Sequence, residues 1–195
     1  MNPASTHLGD VEPNELVRRA LRGCAEAYRE LSRRFRPRLI HVLRPRLGGH
    51  LADAEDVAQE TLARAFRELH RFQPQYRFTT WLYTIAFRLA HDHRRQSRRH
   101  AAYVELDVAS TPSRIAPPHV NLELREGVDN LWRVAKSLLT ETLYTPLWLR
   151  YGEELSLADV ARILGKTQVG VRVQLYRARR ILVYHARQHT PEATP

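Results

Sequence analysis

The sequence has little cysteine: Cys24 is the only one among 195 residues. A single cysteine excludes an internal disulfide framework and leaves too few thiolates for a cysteine-rich zinc site. Histidines do not compensate, because His91 and His93 stand two residues apart and would point to different sides of a helix. We therefore predict that the protein holds no metal and no cofactor. Cys24 lies in a helical pattern and is predicted to be a small core residue.

The sequence also lacks long apolar runs. No run approaches the ~20 residues that cross a bilayer, and residues 1–14 contain no hydrophobic signal core. There is no glycine-rich loop suited to phosphates and no Ser/His/Asp arrangement that the spacing supports. These absences lead us to expect a cytoplasmic protein that neither inserts into a membrane nor catalyses a reaction.

Acidic residues are in deficit, and the deficit is local. The chain has 31 Lys and Arg against 21 Asp and Glu, a net charge of +10. Residues 71–100 contain seven arginines and one acid, and residues 160–187 contain seven cations and no acid, whereas residues 48–63 contain four acids and no Lys or Arg. A merely solvated basic surface does not need such sorting. The pattern favours a nucleic-acid binder with a separate acidic surface.

Apolar residues recur at helical spacing through most of the chain, which predicts an all-α fold. In the first half the pattern predicts four helices: one opened by Pro13 that reaches about Leu31, then helices over 36–47, 53–72 and 80–100. The third helix is predicted to bury Ala54, Val57, Ala58, Leu62, Ala65, Phe66 and Leu69.

The helical pattern is interrupted once. It disappears over 101–126, where three prolines collect, and it returns over 127–189. Two helical stretches separated by a proline-containing segment indicate two small domains joined by a flexible linker. The predicted organisation is a disordered tail at 1–12, a domain at 13–100, a linker at 101–126, a second domain at 127–189 and a tail at 190–195.

A helix-turn-helix pattern lies in the second helical region. Ser156 stands three residues before Asp159 as in a weak capping box, Gly165 suits the turn, and Thr167 is a suitable N-cap for the next helix. Such a helix can enter the major groove with its N-terminus first, and an ordinary surface helix hairpin is the alternative. The helix is predicted to turn Val169, Val171, Leu175, Ala178 and Leu182 inward and Arg172, Gln174, Tyr176, Arg177, Arg179 and Arg180 outward.

An acidic helix start, a segment of aromatics and arginines, and a basic helix end follow one another between Asp53 and Arg99. Opposite charges in sequence require two different partners, one basic and one polyanionic. Aromatic rings beside arginines suit unpaired bases, because the rings stack on bases while the guanidinium groups meet phosphates. The early acids also suit the positive end of a helix dipole, and core packing is the alternative for Trp81 and Tyr83.

Three segments carry motifs: DAEDVAQETLARAF (53–66), FTTWLYTIAFRLAHDHRR (78–95) and LSLADVARILGKTQVGVRVQLYRARRIL (155–182). Read together, they resemble the polymerase-docking helix, the promoter-melting and −10-reading helix, and the −35-reading helix-turn-helix of the extracytoplasmic-function (ECF) group of bacterial sigma factors. The resemblance covers residues from about 13 to 185. It implies an all-α protein with a sigma-region-2-like bundle and a sigma-region-4-like helix-turn-helix domain, which directs RNA polymerase core enzyme to promoters.

The resemblance also implies partners and contact residues. The implied partners are RNA polymerase core enzyme, docked through its β′ coiled coil, promoter DNA and an anti-sigma factor. Polymerase docking is assigned to Asp53, Glu55, Asp56, Gln59 and Glu60. Contacts with the −10 element are assigned to Arg77, Phe78, Thr80, Trp81, Tyr83, Arg88, His91, Arg94, Arg95 and Arg98. Contacts with the −35 element are assigned to Lys166, Thr167, Gln168, Arg172, Val173, Tyr176, Arg177, Arg179 and Arg180.

Several positions depart from the family's pattern. Arg88 stands where Asn is common, Lys166 where an apolar residue is usual, and Gly170 where Thr is usual. Pro146 falls within an expected helix, so this helix is predicted to start at Thr145-Pro146 or to kink there. These departures affect the promoter contacts more than the docking helix.

Two other function classes stay open on the sequence alone. One is a two-domain helix-turn-helix regulator that binds duplex DNA without polymerase. The other is a protein-interaction module whose basic faces are only solvated. The acidic face over 53–60 separates the first of these from a sigma factor, because a simple regulator does not need it.

Overall fold

The computed structural model describes residues 8–104 and 126–189, and every regular element in these two ranges is helical. The chain divides into two compact units, Met1–Ser113 and Arg114–Pro195, here called unit 1 and unit 2. Both observations confirm the predicted all-α fold of two helical domains.

The first unit continues further along the chain than predicted. Its last helix runs to Val104, so the first residues of the linker predicted over 101–126 belong to that helix. The remainder of the predicted linker, at 105–125, lies outside the described residues. The same holds for the tail predicted over 190–195.

The segment before the first helix is held by an arginine of unit 1. Leu8–Asp10 form a 3₁₀ turn, and Arg34 donates hydrogen bonds to the carbonyl oxygens of Val11, at 2.7 Å, and of Leu8. Glu30 orients this arginine at 2.7 Å, and hydrogen bonds from Arg33 and Arg34 lower the pKa of Glu30 to about 2. Residues 8–11 of the tail predicted to be disordered over 1–12 are therefore held against unit 1, and residues 1–7 lie outside the described residues.

Unit 1 contains four α-helices within its described residues. They are α1 (Pro13–Leu21), α2 (Ala25–Arg46), α3 (Leu51–Arg67) and α4 (Phe78–Val104). α2 packs against the other three helices, and α3 packs against α4. The core lies where their apolar sides meet, and its largest fully buried side chains are Leu16, Val17, Leu31, Phe35, Leu39, Leu43, Phe78, Leu82 and Tyr83.

The break between α1 and α2 lies earlier than the sequence pattern predicts. Gly23, at a φ of 90° that favours glycine, ends the first helix, and the next helix runs unbroken from Ala25 through Pro37. The helix tolerates this proline because buried residues at 31, 35, 39 and 42 hold one face of α2 in the core on both sides of it. Cys24 lies in the break and is exposed, so its prediction as a core residue is wrong.

Phe66 is not a core residue either. Its side chain is 58% exposed, and its ring tilts against that of Tyr28 with centroids 4.7 Å apart. Tyr28 fills the adjacent space instead and donates a hydrogen bond to the carbonyl oxygen of Leu62. Burial raises the pKa of Tyr28 to about 12. Phe66 therefore covers Tyr28 from outside, while α3 ends at Arg67 and a separate 3₁₀ turn carries Leu69 into the core.

Unit 2 contains α5 (Glu126–Leu138), α6 (Glu141–Leu147), α7 (Leu157–Leu164) and α8 (Gln168–His189) within its described residues. α8 packs against the other three. A π-helical turn over Trp148–Gly152 joins α6 to the helix-turn-helix. The Trp148 ring lies 4.8 Å from that of Trp132, and a Cβ at Gly152 would come within 2.9 Å of it. Only glycine fits beside this ring.

Pro146 lies inside α6 rather than at its start. The backbone N–H groups of Leu143 and Tyr144 donate to the carbonyl oxygen of Thr140, which places the start at Glu141. Burial of Tyr144 and its neighbours favours helix before the proline. Proline cannot donate an i→i−4 hydrogen bond, so the helical hydrogen-bond pattern is interrupted at Pro146. The wider π turn begins two residues later, at Trp148. The predicted start at Thr145-Pro146 is wrong.

The helix-turn-helix forms as its capping residues predict. The Ser156 hydroxyl accepts a hydrogen bond from the Asp159 N–H at 3.1 Å, and Gly165 makes the turn at a φ of 62°. Thr167 Oγ1 accepts from the N–H of Gly170 at 3.1 Å and caps α8. Two orientations differ from prediction: Gln174 is half-buried with its Oε1 enclosed, and Val169 is 67% exposed. It lies one turn before Val173, which is also exposed, and away from the buried stripe of α8.

We expect Ser156→Ala to destabilise unit 2 by about 1 kcal/mol, because it leaves the Asp159 N–H without its capping partner. Urea unfolding in a Trp81→Phe background measures this, since both remaining tryptophans then report on unit 2. Ser137→Ala is the matched control, because the exposed Ser137 hydroxyl donates only to Val134 in its own helix. The control should change the free energy of unfolding by less than about 0.5 kcal/mol. Equal losses in the two variants would contradict the capping role.

Candidate functional sites

α3 carries the predicted docking residues on the side opposite its buried face. The exposed side-chain fractions of Asp53, Glu55 and Glu60 are 39%, 44% and 52%, and Asp56 and Gln59 are also exposed. The structure thus brings all five residues onto one acidic surface, here called the acidic face. The buried side of α3 consists of Ala54, Val57, Ala58, Thr61, Leu62 and Ala65.

The acids of this face differ in how they are paired. Glu60 accepts a hydrogen bond from Arg67 at 2.7 Å, whereas the Arg36–Glu55 and His93–Asp53 contacts are long, at 3.9 and 4.0 Å. Asp56 makes no ion pair with any residue of the described ranges. Exposed ion pairs contribute only about 0–1 kcal/mol, so a basic partner can replace them at little cost. Asp56 is the carboxylate most directly available to such a partner.

Three residues predicted to contact the −10 element are buried. The exposed fractions of Phe78, Thr80 and Tyr83 are 1%, 3% and 0%. The Phe78 ring lies 5.5 Å from that of Phe35 and 5.8 Å from that of Phe72. A side chain without accessible surface cannot stack on a base, so all three are corrected to core residues. For Tyr83, the alternative of core packing is the right one.

Trp81 combines packing with exposure. Its ring centroid lies 5.5 Å from that of Phe72 and 5.8 Å from that of Phe78. The side chain is nevertheless only half-buried, so part of the ring stays accessible. A ring that is held at one edge and open at the other is suited to stacking, because little rotamer freedom is lost on contact.

The remaining −10 candidates form one stripe along α4, here called the basic stripe. Positions 77, 81, 84, 88, 91 and 95 recur at intervals of three and four residues and lie on one side of the helix. Arg88, His91 and Arg95 are exposed, while Arg94 is half-buried beside the stripe. The side chain of Arg98 lies outside the described residues. Thr84 belongs to this stripe and was missed by sequence reasoning.

Two further residues that lie around the start of α4 in the fold, Tyr76 and Asn14, were not among the predicted site residues. Tyr76 is 48% exposed beside Arg77, which makes it the accessible aromatic of this segment in place of Tyr83. Asn14, in α1, donates a hydrogen bond to the carbonyl oxygen of Tyr76 at 2.8 Å and accepts one from the N–H of Phe78 at 2.8 Å. No local sequence signal links residues that are more than 60 positions apart, so only the fold reveals this contact.

In unit 2 the predicted −35 residues are all exposed. Three of them, Lys166, Thr167 and Gln168, surround the N-terminus of α8. The others lie on the helix opposite its buried residues Val171, Leu175 and Ala178. The front of the helix is partly apolar, because Val169, Val173 and Tyr176 are 67%, 42% and 61% exposed.

Arg172 and Arg177 of α8 flank this apolar front on different sides, whereas Arg180 continues it beyond Tyr176. Arg172 and Arg177 are five residues apart, which places them about 140° apart around the helix. Arg179 lies on the side of Arg172 and is held by Tyr151, to whose hydroxyl it donates a hydrogen bond and over whose ring it lies at 5.1 Å. Arg180 lies over the ring of Tyr176 at 5.9 Å. Tyr151, supplied by the π turn, was not identified from the sequence.

The described ranges hold no group of three or more His, Cys, Asp and Glu side chains that could bind a metal ion. No described helix is long and apolar enough to cross a membrane. The surfaces that remain are one acidic face and two basic, partly aromatic ones.

Comparison with known protein families matches both units. The model for Sigma-70 region 2 matches residues 31–100, and the model for Sigma-70, region 4, matches residues 133–182. The first match contains the acidic face and the basic stripe, and the second contains the helix-turn-helix.

Relatives match along most of the chain. It is 33% identical over 176 residues to the ECF RNA polymerase sigma factor BldN of Streptomyces coelicolor, a match that covers 86% of this chain and 63% of BldN. The ECF RNA polymerase sigma factor SigW of Bacillus subtilis is 28% identical, with 85% of this chain and 92% of SigW covered. The RNA polymerase sigma-H factor of Pseudomonas aeruginosa is 30% identical, with 86% of this chain and 90% of that protein covered.

Solved structures share the fold. CnrH in complex with the cytosolic domain of CnrY matches with a TM-score of 0.57 at 22% identity, over 91% of this chain and 99% of that one. The sigma factor RpoE of Bartonella quintana, in complex with the anti-sigma factor NepR, matches with a TM-score of 0.55 at 23% identity, over 79% and 92%. With both sigma regions in order and relatives of about 30% identity along most of its length, the chain belongs to the extracytoplasmic-function RNA polymerase sigma factors and is a polymerase-associated transcription initiation factor.

Proposed function

We propose that this protein binds RNA polymerase core enzyme through the acidic face and directs it to promoters by reading −10 and −35 elements. One observation carries the proposal: α3 and α4 pack together, yet one exposes carboxylates and the other arginines and an aromatic ring. A regulator that acts on duplex DNA alone needs only the second surface. The proposed work takes place in the cytoplasm, where promoter DNA and polymerase are found.

Docking on polymerase follows from charge complementarity. The acidic face has no arginine or lysine between residues 48 and 63, and within the described ranges only Glu60 among its acids has a close cationic partner, Arg67 at 2.7 Å. We propose that the β′ coiled coil of the polymerase supplies the basic partner. Complementary charges of this kind set the orientation and the partner choice more than they set raw affinity.

Recognition of the −10 element is assigned to the basic stripe. Arginines along the stripe meet phosphates of the non-template strand, while the open edge of Trp81 stacks on a base at the upstream end of the melted region. Arg88 lies at the centre of the stripe and is exposed. Because it stands where the pattern of the family that the sequence resembles commonly has Asn, it adds a charge at this position that is suited to a phosphate or a guanine.

Recognition of the −35 element is assigned to the N-terminal half of α8. The exposed valines offer apolar contact to thymine methyl groups, and Gln168 and Arg172 offer hydrogen bonds to base edges. Arginines further along the helix fix its position on phosphates. Gly170 replaces a residue that could contact phosphate, but its N–H is used by Thr167 to cap the helix.

A restraining partner is also part of the proposal. The solved structures of CnrH and of RpoE from Bartonella quintana each include a second protein, named in the latter case as an anti-sigma factor. We propose a similar partner for this chain, which covers its polymerase-binding or DNA-binding surfaces until it is released.

Reversing the charge of the acidic face should abolish docking. We expect Asp56→Arg/Glu60→Arg to lose core-enzyme binding while unit 1 stays folded, because both side chains are exposed on a helix whose other side carries the packing. Fluorescence titration with core polymerase measures the binding.

Glu26→Arg is the matched control for this variant. Glu26 is 60% exposed and pairs with Arg29 at 2.7 Å, much as Glu60 pairs with Arg67, but it lies on α2 away from the acidic face. The Glu26→Arg variant should bind core enzyme with the affinity of the unaltered protein. Normal core affinity in the folded double variant would remove the docking assignment.

Removing Trp81 should permit closed-complex formation but impair strand opening, since a stacking aromatic contributes about 1–3 kcal/mol per base. Permanganate reactivity of the −10 thymines reports the opening. Phe72→Leu serves as the control, because it disturbs the same ring cluster but leaves the open edge of Trp81 in place. Should Trp81→Ala and Phe72→Leu lose opening in proportion to lost stability, Trp81 is a packing residue only.

Arg172→Ala and Arg177→Ala should have different consequences, because the two side chains lie on different sides of α8. Loss of Arg172 should reduce the free energy of binding to the −35 element by about 1–3 kcal/mol and relax selectivity at one −35 position. Loss of Arg177 should weaken all sequences alike and reduce the slope of log affinity against log salt by about one unit. Binding-site selection and salt titrations distinguish the two. Unchanged selectivity and affinity in both variants would remove α8 from the interface.

A further inference from the structure

A side chain of α1 holds the segment that leads into the basic stripe. Asn14 Nδ2 donates to the carbonyl oxygen of Tyr76 at 2.8 Å and to that of Pro74 at 3.4 Å, and its Oδ1 accepts from the N–H of Phe78 at 2.8 Å. The first and last of these bonds enclose Arg77. One asparagine thus fixes the backbone immediately before and immediately after an arginine of the candidate −10 surface.

The bond to Phe78 caps α4 from another helix. Phe78 is the first residue of α4, and the N–H groups of a first turn have no partner within their own helix. A side-chain oxygen normally satisfies one of them from the N-cap position. Here that position is Arg77, whose side chain has no acceptor. Asn14 supplies the missing oxygen, so Arg77 can occupy the cap position without the helix losing its cap.

The packing of α1 does not need these bonds. Leu16 and Val17 are fully buried, and Glu15 pairs with Arg18 at 2.9 Å and with Arg19 at 3.2 Å within the helix. The three hydrogen bonds instead fix the backbone conformation of residues 74–78. Asparagine is suited to this because it carries both a donor and an acceptor, whereas aspartate can only accept and alanine can do neither.

We propose that Asn14 is a positioning residue for promoter opening, which holds Tyr76 and Arg77 in the conformation that receives the −10 strand. The inference rests on the proposed function. A segment that folding has already ordered loses little conformational entropy when DNA binds, so its ordering does not weaken recognition. Without the asparagine the segment has to be ordered by the DNA itself, and opening slows.

Two substitutions separate this role from a contribution to stability. Asn14→Asp keeps an acceptor for the Phe78 N–H but turns an oxygen toward the Tyr76 carbonyl, while Asn14→Ala loses both functions. We therefore expect Asn14→Asp to unfold at higher temperature than Asn14→Ala, yet to open promoters no better. In holoenzyme, both should reduce permanganate reactivity of the −10 thymines by about 10-fold, which corresponds to about 1.4 kcal/mol lost from the opening equilibrium.

The control lies on the same helix. Arg18 is exposed and pairs only with Glu15 among the described residues, so Arg18→Ala should open promoters normally. Core-enzyme affinity should be unchanged in all three variants, because the hydrogen bonds of Asn14 within the described residues go to Pro74, Tyr76 and Phe78 and to none of the residues of the acidic face. The expected pattern is therefore normal docking, a defect in opening, and no relation between that defect and stability.

Two results would overturn the inference. The first is promoter opening by Asn14→Asp and by Asn14→Ala that equals opening by the unaltered protein. The second is a difference in opening between the two variants that follows the order of their unfolding temperatures. If the unaltered protein itself fails to open any promoter with core enzyme, the proposed function fails and takes this inference with it. The unaltered holoenzyme therefore tells the two failures apart.

Discussion

The packing of α4 against α3 is the contact on which both candidate surfaces of unit 1 depend. α3 turns Ala54, Val57 and Ala58 inward, and α4 turns Leu82 and Ala86 inward. Because each helix buries its apolar side, the carboxylates of one and the arginines of the other have to face solvent. A rotation of either helix by one residue would bury charges and expose the core, so hydrophobic packing keeps the acidic and the basic side chains on separate surfaces.

Features that depend on neighbours in sequence could be predicted from the sequence. The caps at Ser156 and Thr167 and the turn at Gly165 are local chemistry, and the structure confirms all three. The acidic face could be predicted because its charges alternate with a strong apolar period on one helix. The same reasoning failed where periodicity is ambiguous: Val169 lies at the edge of two possible stripes, and only packing shows that it faces solvent.

Features that depend on contacts across the chain could not be predicted. Tyr83 and Trp81 are both aromatic residues of one segment, but the first is buried completely and the second only in part, beside the rings of Phe72 and Phe78. The contact of Asn14 with Tyr76 spans 62 positions. Cys24 was misplaced for a local reason instead. Gly23 ends the first helix, whereas the apolar residues on either side had indicated that the helix continues.

The exposed side of α8 indicates that, in the proposed recognition of DNA, selectivity and affinity come mainly from different residues. Its front is formed by Val169, Val173 and Tyr176, which carry no charge; Arg172 and Arg177 stand at its two edges, and Arg180 follows Tyr176 at its C-terminal end. Under the proposed function, the apolar groups and Arg172 contribute to selectivity through thymine methyl groups and base edges, and Arg177 contributes to affinity through phosphates. Tyr151 holds Arg179 in place by a hydrogen bond and a ring contact, so under the proposed function this arginine would be ordered before DNA binds. Both surfaces proposed to face DNA share this feature: a residue from another element orders a side chain or a segment, as Asn14 does for the segment around Arg77.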